Sequence, residues 1–308
     1  MWVSLYNEMK RPVKIAVWLA VAVVVFVVVT TIYSLVAVRG TFQKKLPASE
    51  APAVEYHARR AEGGEIVGRE FGFLVDKQPF WRSVAKRPLI VVLHGDAPFH
   101  NPGYQYAFAS MLEKAVPGVV IDALLRPGYS DPYGLKSDGD RGFATGENYT
   151  ADVISDIAKS IDRTTNNYTF STVFLVGHSG GAAIAASVAA LNPGLIDHVY
   201  LVGCPCDVPA FRKHMASAQH DPMWLLPVNS LSPMDTLDQM QKGTAITAIS
   251  GSDDPITLPE YARAYIDKAK QRGLDATFIT IPGEGHEILL DQRVIDIIAK
   301  DARAQIFP

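Results

Sequence analysis

Cysteine is nearly absent from this chain: Cys204 and Cys206 are the whole supply, with Pro205 between them. Without a second cysteine pair, a thiolate zinc site is excluded. A spacing of one residue makes an ordinary disulfide geometrically awkward. The pair therefore reads as two small apolar side chains at a strand end. An excess of positive charge is also lacking, since 29 Lys and Arg stand against 32 Asp and Glu. No basic face is available to hold a phosphate backbone, which argues against nucleic acid as a partner. Internal repeats are missing as well. What is plentiful is hydrophobic residue, 48% of 308 positions, enough for a large core.

One stretch lacks charge altogether. Residues 15–38 contain no Asp, Glu, Lys or Arg and are dominated by Val, Ala and Leu. At ~1.5 Å per residue, about 24 residues reach ~36 Å, against a hydrocarbon core of ~30 Å. Trp18 and Tyr33 stand near its two ends, where aromatic rings suit the membrane interface. A cleavable signal peptide has a shorter apolar core and a small-x-small site, and neither is present. The segment is expected to be a transmembrane anchor. Lys10, Arg11 and Lys14 precede it and Arg39, Lys44 and Lys45 follow. The expected topology puts the N-terminus in the cytoplasm and the remainder outside. Residues 1–14 are then an N-terminal flank, and residues 39–64 a linker.

From residue 65 onwards, short apolar runs alternate with helical patterns. Strands are expected at 71–75, 89–93, 119–125, 173–176, 199–202, 246–249 and 277–281. Helices are expected at 105–115, 151–163, 182–191 and 259–272, with a last one ending near Ala304. Continuous apolar runs indicate strands covered on both faces, and strand–helix alternation implies a parallel sheet. Residues 205–243, rich in Met, Leu and Pro and containing Trp224, are too long for a single crossover. They are expected to form a cap.

Gly177-His178-Ser179-Gly180-Gly181 lies between an expected strand and an expected helix. That is the context of a nucleophile elbow, in which a sharp turn presents a serine hydroxyl and flanking side chains would collide. A serine hydroxyl needs a base to take its proton. His286 follows the last strand and is the candidate. The third group must orient the imidazole, and Gly251-Ser252-Asp253-Asp254-Pro255 supplies it. Asp254 is preferred, with Asp253 as a turn residue. The oxyanion hole is assigned to the N–H of Gly180 and the N–H of Asp96. His94 and Trp224 are expected around the substrate pocket.

His94-Gly95-Asp96, Arg126-Pro127-Gly128-Tyr129-Ser130, Gly177 through Gly181, Gly251 through Asp254, and Gly285-His286 together resemble the α/β-hydrolase superfamily. The resemblance covers residues 65–308, and it implies that the loop Arg126 through Ser130, with Tyr129, borders the substrate pocket. It implies a mostly parallel central sheet with helices on both faces and a cap insertion, here preceded by one transmembrane helix. It implies a serine hydrolase of esterase or peptidase type with no metal or organic cofactor. Leu231-Ser232-Pro233, with the following strand and Gly251 through Asp254, is similar to prolyl-oligopeptidase-like and dienelactone-hydrolase-like members. Short peptides therefore join small esters and amides as expected substrates. Asp96 after Gly95 departs from the His-Gly-Gly-Gly of lipase members. A serine at the elbow sets the chain apart from haloalkane dehalogenases and epoxide hydrolases. An acyltransferase using the same three groups, and a non-catalytic hydrolase-like binding protein, are the alternatives. The oligomeric state is open.

Overall fold

The computed structural model describes residues 11–41, 54–57, 65–72 and 87–306, with side chains of the first segment described for residues 12–32. The expected flank at 1–10, most of the linker (42–53 and 58–64) and residues 73–75 of the first expected strand lie outside the described residues. Two compact units divide the chain: residues 46–212 with 227–308, and residues 1–45 with 213–226.

The larger unit is built on one eight-stranded sheet in the order β1-β2-β4-β3-β5-β6-β7-β8. Its strands are β1 (Val54–His57), β2 (Val67–Phe71), β3 (Leu89–Leu93), β4 (Val120–Leu124), β5 (Val173–His178), β6 (His198–Val202), β7 (Ala245–Gly251) and β8 (Ala276–Ile281). β1 and β2 pair antiparallel, as do β2 and β4, and every pairing from β4 to β8 is parallel. The apolar runs of β3 to β7 are near-continuous because these strands are covered on both faces. Along β3, Leu89, Val91 and Leu93 enter one core with Ile157, Ile184 and Ile266. Ile90 and Val92 enter the other, with Leu112 and Ile298. These side chains belong to the helices α2 (Tyr104–Ala115), α3 (Ala151–Asn167), α4 (Gly180–Leu191), α7 (Pro259–Gln271) and α8 (Gln292–Ile306). The residues between β6 and β7 form α5 (Val208–Ala218), α6 (Pro233–Thr236) and two 3-10 turns, Pro222–Leu225 and Leu237–Gln239.

Three expectations change. Val54–His57, inside the expected linker, is a strand paired with β2. The first strand of the expected series runs over Val67–Phe71, upstream of 71–75. Cys204 and Cys206 are joined by a disulfide, with their Cα atoms 5.1 Å apart. An extended chain would place such residues ~7 Å apart, so the backbone folds here. Gly203, just before the pair, is at φ +56°.

In the smaller unit, helix α1 (Arg11–Thr41) contains a 21-residue stretch, Pro12–Ile32, long and apolar enough to cross a membrane. From Ile15 to Val29 its side chains are apolar all round, with Trp18, Leu19 and Phe26 each more than 60% exposed. The hydroxyls of Thr30 and Thr31 donate back to the carbonyls of Phe26 and Val27, at 2.9 and 2.7 Å. A hydroxyl bonded within its own helix suits an apolar surrounding.

Candidate active site

The carboxyl ends of β3, β5 and β7 and the loop after β8 converge at one edge of the sheet. Ser179 sits between β5 and α4 at φ 54°, ψ −124°, a left-handed conformation strained for any side chain. Its N–H donates to the carbonyl of Val202 at 2.8 Å, tying the elbow to β6. The flanking glycines answer to close approach. A Cβ at Gly177 would stand 2.3 Å from the carbonyl oxygen of Gly181, and one at Gly181 would stand 2.4 Å from that of His94.

The structure brings Ser179, His286 and Asp254 together. Nε2 of His286 is 2.9 Å from Oγ of Ser179, and its Nδ1 is 2.9 Å from Oδ2 of Asp254. Asp254 and His286 are buried, whereas Ser179 is partly exposed. Asp253 is exposed, and its carboxylate accepts from the hydroxyl of Ser252. Asp254 is held by a turn of its own making. Oδ1 accepts the N–H groups of Ile256 (2.8 Å) and Thr257 (3.0 Å), and Oδ2 accepts the hydroxyl of Thr257 (2.6 Å). Burial raises the Asp254 carboxyl, but the hydrogen bond and charge of His286, with those N–H and hydroxyl donors, bring it below the ordinary range. Burial lowers His286, and the hydrogen bond and charge of Asp254 more than offset this, so its pKa lies above the usual 6.5. Thr257 was not singled out in the sequence. Its position three residues after an aspartate is the only signal it offered.

Two backbone N–H groups belong to residues packed beside Ser179. Gly180 is the first residue of α4, so its N–H has no partner within the helix. Asp96 is the second. A Cβ on Gly95 would stand 2.9 Å from Cβ of Ser179, so the loop after β3 lies against that residue. Among the described residues, neither the Gly180 nor the Asp96 N–H has an acceptor. His94 determines how the second one points. The N–H of Arg126 donates to its Nε2 at 3.1 Å, so the proton resides on Nδ1, which donates to the carbonyl of Gly95 at 2.7 Å. In a trans peptide the N–H of Asp96 points opposite to that carbonyl. Burial, chiefly, and the charge of Arg126 hold the His94 pKa well below 6.5, so the ring stays neutral.

The Asp96 carboxylate does not stand unpaired beside these donors. Its Oδ1 accepts from Nη1 of Arg126 at 2.8 Å, and its Oδ2 accepts from Oη of Tyr149 (2.6 Å) and the N–H of Gly146 (2.8 Å). Arg126 is 1% exposed and packs against the rings of Tyr129 and Tyr149 at 5.2 and 5.7 Å. Burial works against its charge, but Tyr129, Asp96 and Tyr149 outweigh that and hold it charged. On the other side, the N–H of Gly95 donates to the hydroxyl of Tyr104. That hydroxyl lies 2.9 Å from Nδ1 of His178, whose Nε2 lies 3.1 Å from the carbonyl of His286. One protonation pattern satisfies all three links, with Tyr104 donating to Nδ1 and Nε2–H donating to the carbonyl.

Of the residues expected around the pocket, His94 and Tyr129 are 0% and 2% exposed. They support the loops from beneath, in T-shaped contact at 4.7 Å, and do not present an open surface. Trp224 lies in the smaller unit, on the 3-10 turn Pro222–Leu225, with its indole N–H donating to Oε1 of Gln219. Among the described residues, no group of three His, Cys, Asp or Glu side chains is placed to hold a metal.

No family model and no curated protein matches the sequence. Solved structures do match the fold. An esterase of Pyrococcus furiosus superposes with a TM-score of 0.60 at 12% identity, over 82% of this chain and 90% of that one. Est1E from Butyrivibrio proteoclasticus, solved with ferulic acid, gives 0.55 at 14% identity over 82% and 98%. An acylaminoacyl peptidase of Pyrococcus horikoshii gives 0.56 at 15% identity, over 87% of this chain and 42% of the other. The chain has the α/β-hydrolase fold.

Proposed function

We propose that this chain is a serine hydrolase that cleaves a carboxylic ester or amide bond through an acyl-enzyme on Ser179. The observation that carries the reading is the unbroken line from Oγ of Ser179 to Nε2 of His286 and from Nδ1 to Asp254, each step 2.9 Å. His286 takes the hydroxyl proton as Oγ attacks the carbonyl carbon. Asp254 stabilises the resulting imidazolium and keeps the neutral ring in the tautomer that leaves Nε2 unprotonated. The N–H groups of Gly180 and Asp96 receive the oxyanion, each donor being worth ~2.7–4 kcal/mol in comparable sites. His286 then protonates the leaving group, and water repeats the sequence on the acyl-enzyme. The positive charge of Arg126 compensates the Asp96 carboxylate, so the second oxyanion donor comes without net repulsion.

In this reading helix α1 anchors the protein, with the catalytic unit on the extracytoplasmic side and residues 205–243 serving as a cap. The esterases and peptidases sharing the fold support small esters, amides and short peptides as substrates. Pre-steady-state hydrolysis of a p-nitrophenyl ester tests the chemistry. The expected result is a burst of one p-nitrophenol per enzyme followed by a slower steady phase, with both lost in Ser179→Ala. Hydrolysis that persists in Ser179→Ala defeats the proposal.

A further inference from the structure

The motif Cys204-Pro205-Cys206 has no part in the chemistry above, yet it stands beside it. It follows β6 directly, and Gly203, which begins the turn, lies against the catalytic imidazole. A Cβ at that position would be 3.2 Å from Cε1 and 3.3 Å from Nδ1 of His286. The turn is held at its near end by the N–H of Gly203, which donates to the carbonyl of Ile249 at 2.8 Å. At its far end the carbonyl of Cys206 accepts the N–H of Met234 at 2.9 Å and the hydroxyl of Ser232 at 3.4 Å. The same hydroxyl accepts the N–H of Val208, the first residue of α5. Between those ends the chain is closed by the disulfide, and both cysteines are buried, at 1% and 0% exposure.

We infer that the Cys204–Cys206 cystine positions His286, holding the 203–206 turn as a fixed wall beside the Cε1 and Nδ1 atoms of the imidazole. This rests on the hydrolase reading of the site. A loop of three residues removes little entropy from the unfolded chain, so the link contributes little to global stability. Its effect is local, on the turn it closes. Burial of both sulfurs fits a clamp, and does not fit an exchange site that turns over with surface thiols. A cystine persists in oxidising compartments and is lost against cytosolic glutathione. The inference therefore also places the catalytic unit on the non-cytosolic side, the side expected from the sequence.

The test uses the full chain extracted from membranes into detergent. Alkylation with iodoacetamide in denaturant, without reductant, is followed by mass spectrometry of the peptide containing both cysteines. No alkyl group is expected, and two are expected after treatment with a dithiol. In that step two thiols of the reagent become a disulfide, and the two electrons and two protons they give up convert the cystine to two thiols. Two alkyl groups without reductant overturn the inference.

The functional arm compares oxidised wild type, dithiol-reduced wild type and the Cys204→Ser/Cys206→Ser double variant on a p-nitrophenyl ester. The expected outcome is a fall in kcat of about tenfold with KM within twofold, and a Tm lower by only about 3–6 °C. Reoxidation with a small disulfide is expected to restore kcat in the wild type and to leave the double variant unchanged. Should the double variant not fold, the reduction and reoxidation of wild type give the same answer. Unchanged kcat after complete reduction sinks the positioning role alone. No hydrolysis by the oxidised wild type sinks the hydrolase reading and the positioning role together.

Discussion

Replacing Asp254 by Asn should do more than remove a charge, because the surroundings dictate which way the new amide faces. Oδ1 is flanked by two N–H donors, from Ile256 at 2.8 Å and Thr257 at 3.0 Å. The amide oxygen must occupy that position, since an NH2 group there would meet two donors. The NH2 is therefore placed where Oδ2 was, 2.9 Å from Nδ1 of His286. It donates to Nδ1, so Nδ1 must be unprotonated and the ring proton moves to Nε2. In that tautomer Nε2 faces Oγ of Ser179 as a donor and cannot accept its proton. The loss expected from a wrong tautomer is ~10⁴ in kcat, about 5.5 kcal/mol of transition-state stabilisation. The assay is kcat and KM on p-nitrophenyl acetate from pH 5 to 9, with Tm measured alongside. Kcat should fall by that factor with KM nearly unchanged. A loss under tenfold in Asp254→Asn, with a large loss in Asp253→Asn, refutes the reasoning.

Other outcomes follow from the same geometry. Activity needs neutral His286, and its pKa lies above 6.5, so kcat/KM should be lost as pH falls through a midpoint above 6.5. A midpoint below 6.5 contradicts the assigned pairing with Asp254. Thr257→Val removes one hydroxyl bond to the carboxylate, worth ~1.5–3 kcal/mol for a charged acceptor, and should lower Tm by several degrees while costing about tenfold or more in kcat. Glu70 and Asp122 are register partners on β2 and β4, and among the described residues Oδ1 of Asp122 has no hydrogen-bond partner. Burial pushes Glu70 up to about 7, from an unfolded value of 4.5. A raised carboxyl stabilises the fold below the unfolded pKa and loses that contribution as pH rises through the folded one. The urea midpoint should therefore fall between about pH 4.5 and 7, and Glu70→Gln should flatten that slope; equal slopes count against it. Protease added to intact cells should cut the catalytic unit, and complete protection opposes the extracytoplasmic topology.

Much of this was legible in the sequence where one residue type answers one force. The runs 89–93 and 173–176 are apolar throughout, and 246–249 is interrupted only by Thr247, because both faces of the sheet are covered, and pattern alone finds such strands. Gly177 through Gly181 and Gly285-His286 were legible because crowding and proton transfer leave few alternatives. What escaped depends on long-range pairing. Val54–His57 contains Glu and His and has no apolar run; its partner β2 makes it a strand. The placement of β2 itself, upstream of the expected 71–75, was hidden because Arg69 and Glu70 interrupt its apolar pattern. Tyr149 meets Asp96 across 53 positions, and Tyr104 meets His178 across 74. No local spacing announces either contact. The Cys204–Cys206 link was misread because two residues were treated as though the chain between them ran straight.

Covalent labelling by a fluorophosphonate probe tests the central claim most directly, with the modified residue located by mass spectrometry. One adduct per chain is expected, on Ser179, lost in Ser179→Ala and formed far more slowly in Asp254→Asn. Folded protein that takes up no probe, or that carries it on another residue at the wild-type rate, contradicts the account.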